Sequence, residues 1–366
     1  PSLAAGAMSE CALVRFLRGG GIQRELGMRA VTLARTAHDG ASITTPLLDA
    51  QLNLAIQLLI AGELDEARAL IHERRDRPRD GDAVAQSAVT AEASWSSYLL
   101  TELELRAGRW LLADQHAEAA AAADASRCAN LQASTLLARA LVDAHLGRVE
   151  RARDAATAGI EVARAGGEQL FVWLHEAVLG FVALSLQDPL TAHRHLGPVV
   201  DALRGRGFVE PALPGAAPDE IEALIALGEL PAARTMLDEL HATGERLDRQ
   251  WAIASALRGR ALLASATGDH ERAIAAADAA VQAHRQLADP FARGRTLLAH
   301  GTILGRAGRR RDADRTLGEA RAAFTELGAT LWIARADRET QLLGVDRRPA
   351  SRDTRMSRTS GPVSTS

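Results

Sequence analysis

The chain has 366 residues, of which 47% are hydrophobic and 24% charged, enough apolar material for a substantial core and incompatible with disorder throughout. Its 43 basic and 46 acidic residues leave a formal charge of -3, so nothing draws the whole molecule to nucleic acid or to an anionic membrane. All the basic residues are arginine; the lysine that a P-loop places on phosphate is missing, and lysine Schiff-base chemistry is excluded. Aromatic residues make up only 3% while alanine and leucine dominate, a balance that favours close-packed helices over sheets.

Two cysteines, Cys11 and Cys128, cannot build the disulfide framework of a small secreted domain or a four-thiolate zinc site, and they fit a reducing cytoplasm. The most apolar stretch, Leu52 to Ala61, is interrupted by Asn53 and Gln57 and is too short to span a bilayer. No membrane association is expected. The first residue is Pro1 rather than methionine, which suggests that upstream sequence is missing or was removed.

A repeat organises the chain. A turn-like residue followed five positions later by alanine recurs at Gly62/Ala67, Gly108/Ala113, Gly147/Ala152, Gln187/Ala192, Gly228/Ala233, Gly268/Ala273 and Gly308/Ala313, at spacings of 46, 39, 40, 41, 40 and 40 residues. Between these marks the apolar residues have helical periodicity: Ala313, Leu317, Ala320, Phe324 and Leu327 share one helical face. A second break follows about twenty residues after most marks, at Gly166-Gly167, Gly205, Gly244, Asp289-Pro290 and Gly328, so each unit reads as helix, turn, helix, turn. Seven positions before several marks stands another small residue: Ala55, Ala140, Gly180, Ala261 and Gly301. Small residues at both offsets let two helices approach closely. They are the signature of tetratricopeptide units, here stretched from about 34 to about 40 residues. The predicted fold is all-α, a right-handed α-solenoid of about seven to eight such repeats.

In chain order, residues 1–44 read as a degraded or truncated first repeat, because Leu26 stands where the glycine run Gly19-Gly20-Gly21 calls for alanine. Residues 45–344 read as the solenoid. Within it, 205–218 hold three prolines and three glycines, a composition that forbids a continuous helix and predicts a bend or an exposed loop. Residues 345–366 are rich in arginine, serine and threonine without apolar periodicity, and read as a disordered basic tail or linker stub.

Chemistry-bearing patterns are missing. There is no HExxH or DDxxD, and His193 and His195, two apart on a helix, point different ways. Cys128 has no indicated partner histidine, and Glu102, Glu104, Glu245 and Asp248 read as solvated helix-face carboxylates. No catalytic, metal or cofactor residue is assigned, and the chain is expected not to be an enzyme. Aromatics recur near the start of first helices at Phe171, Trp251, Phe291 and Trp332; most read as inter-repeat core, with Trp251 and Phe291 candidates for the concave face. Arg258 and Arg295, ten and thirteen positions before their glycine marks, fall where such arrays face their inner groove. They could hold a carboxylate bidentately.

The runs GFVEPALPGAAPDEIEALIALGELPAARTMLDELHATGERLDRQWAIASALRGRALLASATGD and PFARGRTLLAHGTILGRAGRRRDADRTLGEARAAFTELGATLWIARADRETQLLG resemble the helical-repeat region of large ATP-binding LuxR-type transcriptional regulators. The resemblance is best from about Gly205 to Gly344. It implies a sensor region placed between an ATPase and a helix-turn-helix domain, with Glu210-Pro211 and Pro218-Asp219 in an inter-repeat break and Gly344 onward in a linker. No GxxxxGK[ST] occurs, so ATP would belong only to a domain before this chain, and DNA contact only to one after it. The chain would then be a fragment, a truncated frame or a naturally short regulator. The partners implied are a protein or peptide, or a small-molecule inducer, on the concave face, with self-association possible. The alternative is a free-standing adaptor of tetratricopeptide type without a transcriptional role.

Overall fold

Gly62, Gly108, Gly147, Gly228, Gly268 and Gly308 all have φ between +75° and +97°, and Gln187 holds the same left-handed conformation at φ +64°. The recurring turn residue therefore ends a helix, where only a left-handed backbone lets the chain reverse at once. The computed structural model describes residues 2–36, 49–76, 83–123, 129–211 and 215–345. Among them are seventeen α-helices and no strand.

The helices alternate between an inner and an outer layer. The inner set is α1 (Ser2–Arg15), α3 (Ala50–Ala61), α5 (Ala83–Arg106), α7 (Ala129–Leu146), α9 (Gln169–Ser185), α11 (Ala216–Leu227), α13 (Gln250–Ala266), α15 (Pro290–Arg306) and α17 (Thr330–Val345). The outer set is α2 (Arg24–Thr36), α4 (Leu64–Arg75), α6 (Trp110–Ala123), α8 (Val149–Gly166), α10 (Pro189–Gly205), α12 (Leu230–Leu247), α14 (His270–Arg285) and α16 (Arg310–Leu327). Each inner helix from α1 to α15 packs against the outer helix that follows it, and successive inner helices pack against one another, the arrangement of a tetratricopeptide-like α-solenoid. Aspartates cap several starts: Asp49, Asp188, Asp269 and Asp289 accept backbone N–H bonds from the first turns of α3, α10, α14 and α15.

Ala67, Ala113, Ala152, Ala192, Ala233, Ala273 and Ala313 are all fully buried, at 0% exposure. Each donates its N–H to the residue four before it, one turn into an outer helix. The small residues on the inner helices face the same seam. At Gly180 an added Cβ would meet Leu196 Cγ of α10 at 2.4 Å, so the two helices have no room for a side chain there.

Three sequence expectations need correction. Gly205 is the last residue of α10 and the left-handed turn falls on Gly207, while Gly244 lies inside α12 and Asp248, at φ +55°, makes the turn. Gly244 instead permits contact with α13, because a Cβ there would lie 3.0 Å from the Ile253 side chain and 3.2 Å from its backbone nitrogen. The first unit keeps its small residue one position late: Gly27 N–H donates to Gln23 O at 2.8 Å, as each repeat alanine does, and Gly27 packs on Leu54. The turn before it is also unlike the others, a kink at Phe16–Gly20 with Gly19 left-handed at φ +84° and Gly21 at φ +70°. Nor is the Pro/Gly-rich break simply an exposed loop. Val209 and Glu210 donate backbone N–H bonds to Leu17 O at 2.8 and 3.1 Å, and Glu210 is buried against Arg249. Residues 212–214, the tail from 346 and Cys128 lie outside the described residues.

The solenoid winds far enough for distant repeats to touch. Thr330 Oγ1 donates to Leu146 O at 2.9 Å, Trp332 Nε1 to Ser185 Oγ at 3.2 Å, and Arg338 Nη2 to Gln187 Oε1 at 2.5 Å. α17 thus docks across the array on α7 and α9. Between them an aromatic cluster fills the superhelix axis: Trp110, His145, Phe181, Phe291, Phe324 and Trp332, with neighbouring ring centroids 4.8 to 6.5 Å apart. No helix among the described residues is long and apolar enough to cross a membrane.

Candidate ligand-binding site

Beside that aromatic plug the axis stays open as a cavity of about 550 Å³, within the range of small-ligand sites. Each inner helix from α1 to α15 contributes to its wall. The apolar part comes from residues such as Leu59, Leu99, Leu141, Phe171, Leu174 and Phe181; the polar part comes from Glu102, Arg106, Asp219, Arg258, His284, Asp289 and Arg295.

All four residues that sequence placed on the concave face line this cavity: Trp251, Arg258, Phe291 and Arg295. Phe291 is at once core and wall, since it is 8% exposed and packs on Phe324 and Trp332. Phe171 has the same double role. Trp332 stands behind the wall, stacked by Arg295 at 4.9 Å and Arg335 at 5.0 Å.

The arginines are not free in solvent. Arg258 is 3% exposed and its Nε donates to Glu222 Oε1 at 2.9 Å. Arg295 Nη2 lies 2.9 Å from the same oxygen and 2.7 Å from Asp219 Oδ1. Burial opposes ionisation of Glu222, but Arg295 and Arg258 hold its carboxyl down at about 2. Burial pushes Asp219 above the usual carboxylate range even with Arg295 beside it. It likewise lowers Arg258 and Arg335, whereas Asp219 and Glu222 outweigh burial at Arg295 and raise it. His284, buried and facing Arg258 and Arg295, is held down at about 3 and so is neutral near pH 7. Its Nδ1 is 3.0 Å from Ala280 O, which assigns the proton to Nδ1 and leaves Nε2 an acceptor.

Other polar groups of the wall, around Glu102, pair with one another. Tyr98 Oη donates to Glu102 Oε2 at 3.1 Å, Arg106 Nη2 to Glu102 Oε1 at 2.9 Å, and Arg106 Nη1 to Leu59 O at 3.1 Å. His193 and His195 bind different carboxylates, Glu220 and Glu176. Among the described residues no group of three or more His, Cys, Asp or Glu side chains is placed to hold a metal ion.

Asp219, Glu222, His284 and Arg335 were missed in the sequence. A signal existed for one of them: Arg335 follows Arg295 by 40 residues, one repeat interval, and so falls at the same position of the next inner helix.

Neither a protein-family model nor a curated protein sequence matches the chain. Solved structures do. A Rap protein complexed with Competence and Sporulation Factor is similar at TM-score 0.59 and 13% identity, over 81% of this chain and 82% of that one. NprR in complex with its cognate peptide NprX is similar at TM-score 0.54 and 12% identity, again over 81% and 82%. At these identities the likeness shows the fold alone: the chain is a tetratricopeptide-like helical repeat built as those two proteins are.

Proposed function

We propose that the chain is the sensing module of a cytoplasmic regulator, binding a peptide or a short segment of a partner protein in its axial cavity and passing that event on as a change of superhelical curvature. The observation that carries this reading is the wall itself: a ligand there touches inner helices from α1 to α15, so it bears on the angle between most repeats at once. Each repeat touches mainly its neighbours, and such arrays flex readily. A ligand favouring one curvature shifts the population toward it, by no more than its differential affinity for the two. That both similar structures are complexes, one of them with a cognate peptide, supports a peptide over other occupants. Nothing in the wall arranges a nucleophile, a general base and an electrophile for bond-breaking, so the site is read as a receptor with no cofactor of its own.

The likeness to LuxR-type regulators, best from about Gly205 to Gly344, supports a finer reading, in which nucleotide hydrolysis and DNA binding reside in flanking domains. The coding sequence on either side tests it: a P-loop upstream and a helix-turn-helix downstream are expected, and their absence in every frame would leave a free-standing adaptor. Switching is tested by small-angle scattering of the chain saturated with a peptide it retains. A changed radius of gyration is expected; an unchanged profile at saturation contradicts the curvature mechanism.

A further inference from the structure

We infer that the ligand of the axial cavity carries a carboxylate, seated against Arg258 and Arg295. This deepens the receptor reading above and rests on it. Two guanidinium groups are held side by side here by one shared oxygen, Glu222 Oε1, at 2.9 Å from each. Sharing leaves donors unused: Arg258 Nη1, Arg295 Nε and, behind them, Arg335 Nη1 are buried with no hydrogen-bond partner, as is Trp251 Nε1 at the cavity wall. Arg258 and Arg295 are 3% and 8% exposed and both line the cavity.

The nearby acids are already engaged. Glu222 contacts both Arg258 and Arg295, Asp219 Oδ1 lies 2.7 Å from Arg295 Nη2 as an ion pair without hydrogen-bond alignment, and Asp289 caps α15 by accepting Ala292 N–H at 2.8 Å. Buried cationic N–H groups without acceptors are costly, and a cluster of them beside a cavity is relieved by an incoming anionic acceptor. A carboxylate meets the need, since its two oxygens accept from two guanidinium edges. A phosphate dianion would bring twice the charge against Asp219, Glu222 and Asp289. The apolar remainder of the wall calls for an otherwise hydrophobic ligand, and the cavity admits only a short one. The carboxylate is therefore a chain terminus or an acidic side chain of a small apolar peptide.

The test uses the full chain and a library of N-acetylated tripeptides in three forms: free carboxyl termini without acidic residues, the same sequences as carboxamides, and carboxamides containing one Asp or Glu. Retention is read by affinity-selection mass spectrometry. One or both carboxylate-bearing sets should be retained roughly tenfold or more above the neutral carboxamides, and the favoured set identifies the source of the charge. Arg258→Gln should abolish the preference. Asp219→Asn, which removes a competing acid, should strengthen it, a gain that a merely misfolded variant cannot mimic.

Equal retention of the neutral carboxamides would overturn the carboxylate assignment and leave the cavity as the site. Undiminished preference in Arg258→Gln would place the carboxylate elsewhere and also overturn it. Displacement of the carboxylate sets by inorganic phosphate at concentrations where acetate has no effect would overturn it in favour of a phosphate ligand. Retention of no set would remove the peptide-receptor reading and this inference with it.

Discussion

Where Glu210 meets Arg249, one carboxylate faces one guanidinium through bonds of 2.9 and 3.1 Å, and the remaining nitrogen donates to Leu247 O at 2.8 Å. Where Glu222 and Asp219 meet Arg258 and Arg295, with Arg335 over Trp332 behind them, the pairing is uneven and nitrogens are left over. Both clusters are buried, and both join inner helices to something else. The first is complete and lies at a crossing of chain segments: Arg249 also packs over the Phe16 ring at 5.5 Å, beside the point where Val209 and Glu210 bond to Leu17. The second is incomplete and borders the cavity. Complete pairing marks a structural staple, whereas unspent donors beside open volume mark a place for a ligand.

That contrast is broken most sharply at the staple. Arg249→Gln leaves Glu210 buried without its bidentate partner and should cost about 3–5 kcal/mol, read as a lowered urea midpoint at unchanged slope. A loss under about 1 kcal/mol would make the two clusters equivalent. Ala273→Leu, in the seam between α13 and α14, should cost about 1–3 kcal/mol by overpacking. An unchanged thermal midpoint would mean that the seam has slack.

A third effect depends on pH. His145 and His175, buried, are held down at about 4, and His284 at about 3. In the window between these values and 6.5 the unfolded chain binds more protons, so stability is full above about pH 6.5 and falls as pH drops. The slope near pH 5 is about 1 kcal/mol per pH unit for each histidine. Glu220, raised by burial to about 7, works in the opposite sense between pH 7 and 4.5 and offsets one of the three. Ring-proton NMR should show no titration of His284 above pH 5; a midpoint near 6.5 would contradict its burial against Arg258. The smallest effect is expected at the incomplete cluster: Arg258→Gln should cost only about 1 kcal/mol or less in urea, because Glu222 keeps Arg295 and one unmatched charge is removed. A cost equal to that of Arg249→Gln would make Arg258 a second staple.

The repeat was legible because every unit solves the same packing problem, so the left-handed turn and the small residue after it recur. Gly27 and Asp248 show where such reading slips: a kinked turn with two glycines at positive φ precedes α2, and a non-glycine residue takes a left-handed turn while the nearby glycine serves a helix contact. The inner-face positions of Arg258 and Arg295 were legible from their offsets. Their partners were not, because Glu222 lies one repeat away and Arg335 two repeats away from Arg258, and only stacking brings them together. Contacts such as Thr330 with Leu146 or Trp332 with Ser185 follow from the pitch of the superhelix, which no single repeat encodes.

Axial binding is tested most directly by amide hydrogen exchange of the full chain with and without a retained tripeptide. Slowed exchange confined to the inner helices around the cavity, α9, α13 and α15 above all, with the outer faces of α8, α12 and α16 unchanged, is the predicted result. Protection on the outer helices alone, or none at saturating peptide, would contradict the claim that this solenoid binds along its axis.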